Sequence, residues 1–338
     1  MPRKDYDEIK NKFESFVRKF RSRDISDLDD YVVKNVRVNL STSENLTGEE
    51  NGFEGIARFI NTYPITDHLN LPIYNYVCRI KGSEAQQLGY VVCSALDEVP
   101  GSDEYKHYLY CHIIVNHWTK REDGWKMDSI KMDFYEGIGE LREKFEKTWH
   151  IEDGACTGVV HGEHPLVIVG EIDSPYNVFP DAEDVLTEEE KIKEAVTEYN
   201  FGIDVAAFDH VVRAFADDLS CYGSGMTMFL LSGKHERISM LKMHRQPNRI
   251  WTHGYKFMNI DIDGDRAKVY AARIIGHRQP ECEYVWKKGG ENKEHLRADL
   301  NLDMIKRNGR WQIQRFNYEL PGIKEYGDYG KSLYNDLV

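Results

Sequence analysis

The stretches GWKMD at residues 124–128 and GRWQIQ at residues 309–314 are two versions of one local pattern. Each contains a glycine turn followed by a tryptophan, comes after a long strand-like segment and precedes a short tail. Recurrence of such a pattern is the signature of an internal repeat. We therefore expect the chain to contain two copies of one module.

The repeat extends upstream of the tryptophans. RDISDLD at residues 23–29 aligns with IDVAAFD at residues 203–209, and IKGSEA at residues 80–85 aligns with IDGDRA at residues 262–267. The offset between paired residues drifts only from about 180 to about 186, as differences in loop length would produce. Two divergent domains of one fold follow from this alignment.

The length of the chain agrees with two domains. Its 338 residues exceed what one core usually organises, whereas two modules of roughly 150 residues match the commonest domain size. We expect a first domain at residues 1–150, a connector at residues 151–186 and a second domain at residues 187–338.

Charge and hydropathy exclude several classes of partner. The chain has 57 acidic and 44 basic side chains, a formal net charge of -13, which repels phosphate backbones and anionic membrane surfaces. No apolar run approaches the roughly 20 residues of a membrane span, and the first residues lack the apolar core of a secretory signal. We expect a cytoplasmic protein that binds neither nucleic acid nor membrane.

The six cysteines lack the paired spacing and density of a disulfide scaffold, so buried free thiols are expected. One incomplete metal pattern occurs in the connector and lacks the second half of a zinc site. It consists of Cys156, His161, Glu163 and His164. No bound metal is expected.

Each copy opens with a helical pattern. In the second copy, Thr187 precedes three glutamates, which is typical of an N-cap followed by acidic first-turn residues. Apolar residues then recur at helical spacing, and a second short helix follows from Phe208 to Phe215.

From about residue 250 the pattern changes to strands and tight turns. A hairpin is predicted around Gly264, and alternating apolar and polar residues at 296–304 lead through Asn308 and Gly309 into a last strand at 311–318. Helices followed by a meandering antiparallel sheet make each copy α+β. The connector is either a plain linker or an arm packed across both modules, and its apolar residues 166–169 favour a docked strand.

The helix pair, the Gly-Asp-x-Ala hairpin and the Gly-x-Trp final hairpin resemble the SnoaL-like branch of the nuclear transport factor 2-like superfamily. The resemblance implies two tandem cone-shaped α+β barrel domains, in which helices pack on a curved antiparallel sheet around an apolar pocket for a small molecule. It also implies an internal pseudo-dimer of the two domains, open to further homo-oligomerisation. The superfamily includes isomerases, cyclases, dehydratases and non-catalytic proteins, so the fold alone does not assign function.

The second copy resembles the scytalone dehydratase type of site more specifically. Asp204 falls at the position of that family's aspartate, His253 at that of its first histidine, and His277 within one residue of its second. Tyr222 lies near a tyrosine that polarises substrate in those enzymes. These four residues are the candidate catalytic residues, and no cofactor is expected.

This set suits dehydration or isomerisation beside a carbonyl group. A neutral imidazole removes a carbon-bound proton, and an adjacent carboxylate fixes its tautomer. We expect a His253–Asp204 dyad, with His277 and Tyr222 donating to the oxygen of a small hydrophobic carbonyl substrate. Plainer alternatives are that Asp204 only terminates a helix and that the histidines are ordinary sheet residues.

Arg315, Trp251 and Tyr255 are candidates for substrate binding, although Arg315 also fits an exposed strand position. The overall expectation is a lyase or isomerase acting on a hydroxylated cyclic or polyketide-like carbonyl compound. The alternative is a binding or assembly protein of the same fold that catalyses nothing.

The first copy departs from the pattern. Asp24 aligns with Asp204, but Leu71 and Ala95 stand at the positions of the two histidines. His68 and His112 are the nearest substitutes, and His107 and His117 are expected on the opposite face of their strand from His112. We expect the first domain to have lost activity.

Overall fold

The computed structural model describes residues 2–40, 52–138, 167–223, 231–244, 253–275, 285–287 and 297–319. The chain divides into two compact units, one comprising Met1–Val185 and Glu283–Val285, the other Leu186–Cys282 and Trp286–Val338. The described end of the expected connector, from residue 167, therefore groups with the first unit. In the ranges given above, no helix is long and apolar enough to cross a membrane.

The first unit begins with helix α1. Its buried positions recur every three or four residues, so one face packs inward. The helices are α1 (Pro2–Ser22), a 3-10 helix (Leu28–Asp30), α2 (Gly52–Asn61), α3 (Gly170–Asp173) and α4 (Pro175–Val178).

One sheet underlies these helices, in the order β1-β6-β5-β4-β2, with β3 also pairing with β4. Its strands are β1 (Val32–Leu40), β2 (His68–Asn70), β3 (Ile73–Lys81), β4 (Glu84–Glu98), β5 (Glu104–Arg121) and β6 (Gly124–Ile138).

The second unit has the same general order of helices followed by strands. Its helices are α5 (Glu188–Asp204), α6 (Phe208–Ala214) and α7 (Lys234–His244). Its sheet runs β8-β7-β13-β12-β10-β9. The strands of this sheet are β7 (Phe215–Gly223), β8 (Leu231–Ser232), β9 (His253–Asp263), β10 (Arg266–Ile275), β12 (Arg297–Arg307) and β13 (Arg310–Glu319). A short strand outside this sheet, β11, spans Val285–Lys287.

Local signals explain where these elements begin and turn. The Thr187 side chain accepts from the Glu190 backbone N–H, and the Glu190 side chain accepts from the Thr187 N–H, a capping box that starts α5 as predicted. Gly264 and Gly309 have φ of 57° and 77°, left-handed values that suit glycine in tight hairpins. The helix pair and both hairpins predicted for the second copy are confirmed.

The core of the second unit lies between α5 and the inner face of the sheet. Helical spacing places a stripe of apolar residues of α5 against alternate strand residues. Members of this core include Ile192, Val196, Tyr199, Ile203, Val269, Leu302, Met304 and Trp311.

The prediction of wholly antiparallel sheets is wrong, because each sheet is mixed. In the first unit β1 runs parallel to β6, and in the second β7 runs parallel to β13. The strand that leaves the helices pairs with the last strand of the meander, and the long intervening chain permits a parallel pair. The predicted strands of the second copy begin near residue 250, so β7, which follows α6 without a break, was not predicted.

A docked strand was expected at residues 166–169. Residues 167–169, the described part of this segment, do not form a strand. The backbone N–H groups of Val167 and Ile168 donate to the carboxylate of Asp133, at 2.9 and 3.2 Å. Because a side chain rather than a neighbouring strand satisfies these groups, the segment is docked on the first unit without forming a ladder.

Four cysteines lie in the described regions, and all four are free and buried, as predicted: Cys78, Cys93, Cys111 and Cys221. Cys156, Cys282 and the incomplete metal pattern of the connector lie outside the described residues. Within the described part of the chain, no group of His, Cys, Asp and Glu is arranged to hold a metal ion.

Candidate functional site

The last residue of α5, Asp204, is fully buried. The chain turns sharply after it, since Ala206 adopts a left-handed φ of 60° and α6 begins at Phe208. Helices α5 and α6 approach closely at Gly202, where an added Cβ would lie 2.8 Å from the Cβ of His210. This close packing fixes the end of the helix that carries the carboxylate.

His253 opens strand β9 and meets Asp204 through both backbone and side chain. Its backbone N–H donates to Asp204 Oδ2 at 2.9 Å, and its ring Nδ1 contacts Asp204 Oδ1. An ionised carboxylate only accepts hydrogen bonds, so the contact assigns the proton of a neutral ring to Nδ1 and the lone pair to Nε2. The structure therefore brings together two residues that lie 49 positions apart in sequence.

Two further residues share the sheet face of His253. Tyr255 lies two residues along β9, and its directly opposite partner on β10 is Arg273. Residues two apart on a strand, and directly opposite residues on paired strands, point to the same side of a sheet. Tyr255 and Arg273 are both buried, at 2% and 8% exposed.

Helix α7 contributes a buried arginine to the interior of the second unit. Arg237 of α7 is only 7% exposed, and its guanidinium carbon lies 5.2 Å from the centroid of the Phe316 ring. The Tyr199 ring of α5 lies 5.1 Å from the same phenylalanine. Burial raises the pKa of Tyr199, and the positive charges of Arg237 and Arg273 both act against this rise.

Asn200 lies one helical turn before Asp204 and is 1% exposed. Its side-chain Nδ2 and Oδ1 are both buried without a hydrogen-bond partner in the structure as described. A buried amide usually makes several hydrogen bonds, so this side chain has unused donor and acceptor capacity.

Of the other predicted site residues, the structure describes the strand position of Tyr222 and the side chain of Arg315. Tyr222 lies in β7 opposite Asn317 of β13. Arg315 has a side chain 51% exposed, and its Nη1 lies 3.9 Å from Asp303 Oδ2. Phe316, its neighbour on β13, is buried, so Arg315 faces the other side of the sheet. His277 and Trp251 lie outside the described residues.

Asp24 of the first unit does not reproduce the arrangement of Asp204. It is exposed, and its Oδ1 accepts from the backbone N–H of Ser26 at 2.9 Å, which lowers its pKa. Both first helices end near a left-handed residue, Arg23 and Ala206. Matching these two turns places Asp24 three residues beyond the position of Asp204, so the sequence alignment is wrong at this point.

The interior of the first unit is aromatic around His112. This ring is fully buried, its Nε2 lies 2.9 Å from the Tyr63 hydroxyl, and burial lowers its pKa to about 3. Aromatic rings of the described residues with centroids within 6.1 Å of it include Phe20, Phe59, Tyr63, Tyr110 and Phe134.

The other candidate histidines of the first unit lie away from this interior. His68 is exposed and remains on β2. His117 is partly exposed, and its Nδ1 lies 2.7 Å from Asp128 Oδ1. It therefore lies on the face opposite His112, as the alternation predicts.

Four buried residues with polar groups in the second unit were not predicted from the sequence: Tyr199, Asn200, Arg237 and Arg273. A signal existed for Arg273, which continues the alternation of the buried residues Ala267, Val269 and Ala271. An arginine at a core-facing position of a strand is unusual and marks a candidate site. Arg237 lies on α7, a helix that the sequence analysis did not predict.

Comparison with known proteins supports the fold of the second unit. Residues 184–317 match the family model described as a SnoaL-like domain. No curated protein matches the chain. Residues 184–317 are thus similar to a SnoaL-like domain, and the second unit has an α+β fold with a mixed sheet.

Similar solved structures include three bacterial proteins of unknown function. An NTF-2 like protein from Shewanella oneidensis MR-1 is 12% identical, with 39% of this chain and 99% of that chain covered and a TM-score of 0.32. A protein with a cystatin-like fold from Nostoc punctiforme PCC 73102 is 19% identical, with 40% and 94% covered and a TM-score of 0.31. An NTF-2 like protein from Silicibacter pomeroyi DSS-3 is 16% identical, with 40% and 100% covered and a TM-score of 0.30.

Proposed function

We propose that the second unit is a cofactor-independent lyase or isomerase, similar to a dehydratase, that acts on a hydroxylated cyclic or polyketide-like carbonyl compound. The observation that carries the proposal is the buried contact between His253 and Asp204. His253 is the general base, and Asp204 orients it. A SnoaL-like domain at residues 184–317 is compatible with this chemistry, because the superfamily includes both isomerases and dehydratases.

In the proposed reaction, Nε2 of His253 removes a proton from the carbon next to the substrate carbonyl. The electrons of the broken C–H bond form an enolate, and the ring becomes an imidazolium. Asp204 stabilises this cation through Nδ1, as a carboxylate does in other acid–base dyads. Burial excludes water and strengthens the attraction between the carboxylate and the imidazolium.

The second half of the reaction needs an acid. In a dehydration, the enolate expels a β-hydroxyl group that leaves as water after accepting a proton. In an isomerisation, the proton returns to a different carbon. His277 and Tyr222 remain the proposed donors to the oxygen, by their resemblance to the scytalone dehydratase type of site.

The alternative is a protein that binds or assembles without catalysis. A purely structural role gives no reason to keep an ionisable imidazole against a fully buried carboxylate, because an apolar pair of similar volume is commonly as stable. In the first unit, by contrast, the buried His112 lies among aromatic rings and beside the Tyr63 hydroxyl. This contrast favours chemistry in the second unit.

Proton exchange tests the proposal without knowledge of the natural substrate. Hydroxylated cyclohexanones and tetralones are incubated with the full chain in D2O, and the loss of α-proton signals is followed by NMR. We expect exchange above the protein-free rate for at least one compound. His253→Gln should reduce the enzyme-dependent rate by roughly 10²- to 10⁴-fold, the usual contribution of a general base.

Asp128→Asn is the matched control, because it disrupts a His–Asp contact in the first unit, between His117 and Asp128. It should retain full exchange activity. Exchange that persists in His253→Gln, or binding of these compounds with no exchange in any of them, would favour the non-catalytic alternative.

A further inference from the structure

Four residues of α5 form one stripe along the helix, and Asp204 is the last of them. Lys193, Thr197, Asn200 and Asp204 follow one another at intervals of three and four residues, the spacing of a single helical face. The adjacent side of the helix packs into the core through Tyr199. The stripe therefore lies beside the core-facing side of α5, and the contacts at its two ends show what it faces.

Both ends of this stripe contact strand β9. The Lys193 ammonium lies 5.9 Å from the centroid of the Phe257 ring, and Asp204 Oδ2 accepts from the His253 backbone N–H at 2.9 Å. The helical segment between these contacts spans about 16 Å and the strand segment about 13 Å, so α5 and β9 run side by side. Asn200 lies between the two contacts, about 6 Å along the helix axis from Asp204.

Asn200 is enclosed at this position without a hydrogen bond from its side chain. The residue is 1% exposed, and both Nδ2 and Oδ1 are buried without a partner among the residues that the structure describes. A buried amide that lacks its hydrogen bonds lowers the stability of a fold. Leucine is close to asparagine in volume and would avoid this cost. A residue that costs stability next to a candidate site is explained by a ligand that bonds to it.

We propose that Asn200 is a substrate-binding residue of the site formed by His253 and Asp204, and that its Nδ2 donates a hydrogen bond to the substrate carbonyl oxygen. A carbon about 3 Å from the imidazole and an oxygen about 3 Å from the amide fit between groups one helical turn apart. Negative charge collects on this oxygen as the base removes the α-proton, and a donor held in a buried site stabilises that charge.

This inference rests on the proposed function and adds to it a residue that recognises the oxygen atoms of the substrate. A primary amide presents a donor and an acceptor, so a hydroxylated carbonyl compound bonds to both halves of the Asn200 side chain. A hydrocarbon of the same shape would leave both halves unpaired. A site built on hydrogen bonds discriminates strongly against such an analogue.

The test measures binding by the full chain and needs no turnover. Cyclohexanone is compared with methylenecyclohexane, and 1-tetralone with 1-methylenetetralin, by ligand-observed NMR titration. Within each pair, a CH2 group replaces the carbonyl oxygen and the shape scarcely changes. We expect Asn200→Leu to weaken ketone binding and to leave hydrocarbon binding equal or tighter. The ratio of the two affinities should fall roughly 10- to 100-fold, as loss of a hydrogen bond in a buried site predicts.

Asn116→Leu is the matched control, because Asn116 is a fully buried asparagine of the first unit whose Nδ2 donates to Gln87 Oε1 at 2.7 Å. The control should lower the melting temperature and leave the affinity ratio unchanged. Asn200→Leu removes an amide without such a bond, so its ligand-free melting temperature should equal or exceed that of the wild type. Asn200→Ala repeats the binding measurement with a smaller side chain and should lower the ratio in the same direction.

An affinity ratio that is unchanged in both Asn200 variants would overturn the inference, and a lowered melting temperature of Asn200→Leu with that result would assign Asn200 a structural role. His253→Gln separates the inference from the proposed function, because it should keep the wild-type ratio while losing proton exchange. A ratio that depends on Asn200 without exchange in the wild type would retain the binding residue and remove the proposed catalysis.

Discussion

At the scale of single residues, His112 and His253 are both buried, but their neighbours give them different chemistry. His112 is surrounded by aromatic rings, and burial lowers its pKa to about 3, so it stays neutral at physiological pH. His253 contacts the carboxylate of Asp204, which stabilises a positive charge on the ring. Only the second environment supports a base that must hold a proton during a reaction.

Another buried carboxylate of α5, Glu198, has a structural role. Burial alone would raise its pKa, but the hydrogen bond with His210 and the charges of Arg310 and Arg213 outweigh burial and lower the pKa from 4.5 to about 2. Its Oε1 lies 2.9 Å from Arg213 Nε, and its Oε2 contacts Arg310. This cluster ties α5 to α6 and β13.

The lowered pKa of Glu198 predicts a loss of stability in acid. Because its folded pKa lies below its unfolded value, its contribution is complete above about pH 4.5 and is lost as the pH falls towards 2. Glu198→Gln should remove about 3 kcal/mol at pH 7 and less at low pH. Urea unfolding of both proteins between pH 3 and pH 7, roughly the range in which Glu198 titrates, measures this difference in the free energy of unfolding. An equal loss in the control Glu189→Gln, an exposed residue of the same helix, would contradict the assignment.

Only some residues of the candidate site could be predicted from the sequence. Asp204 and His253 were identified together by resemblance to a known pattern, and they are in contact. Arg237 could not be identified in that way, because its burial depends on tertiary packing. Asp24 was misaligned because the turns after α1 and α5 differ in length.

At the scale of helices and strands, the sequence predicted the features that depend on residues close together in the chain. The Thr187 capping box and the hairpins at Gly264 and Gly309 depend on residues a few positions apart, and all three were predicted. The parallel pairing of β7 with β13 joins residues about 100 positions apart, and alternation within one strand carries no information about direction. The residues at 167–169 form no strand because the carboxylates of Asp133 and Asp173 accept hydrogen bonds from their backbone N–H groups.

The close contact between α5 and α6 predicts that Gly202→Ala lowers the free energy of unfolding, the opposite of the usual effect of alanine in a helix. Replacing glycine by alanine inside a helix normally stabilises it by roughly 1 kcal/mol. In Gly202→Ala the new Cβ would meet His210 and the Ala207 carbonyl at less than 3 Å. We expect a loss of roughly 1–3 kcal/mol from overpacking, measured by urea unfolding. A gain in stability would mean that the helices do not approach as described.

At the scale of the whole molecule, two units of similar element order have different interiors. Aromatic rings surround the buried His112 of the first unit, whereas the second unit contains a carboxylate–imidazole contact and two buried arginines. The sequence predicted two modules from the repeated hairpins. The family match covers only residues 184–317, so the duplication itself remains a prediction.

This contrast predicts that proton exchange belongs to the second unit alone. Tyr63→Phe removes the hydroxyl that contacts His112 and Cys93 in the first unit. The variant should retain the exchange rate of the wild type in the full chain, while losing some stability of its own unit. A loss of exchange without unfolding would show that the first unit takes part in catalysis.

The most direct test of the central claim is a double-mutant cycle on proton exchange with Asp204→Asn, His253→Gln and the double variant. If Asp204 acts through His253, the double variant should be no slower than His253→Gln alone, because residues that work as one unit are strongly non-additive. Losses that multiply in the double variant, or a wild-type rate in either single variant, would contradict the dyad.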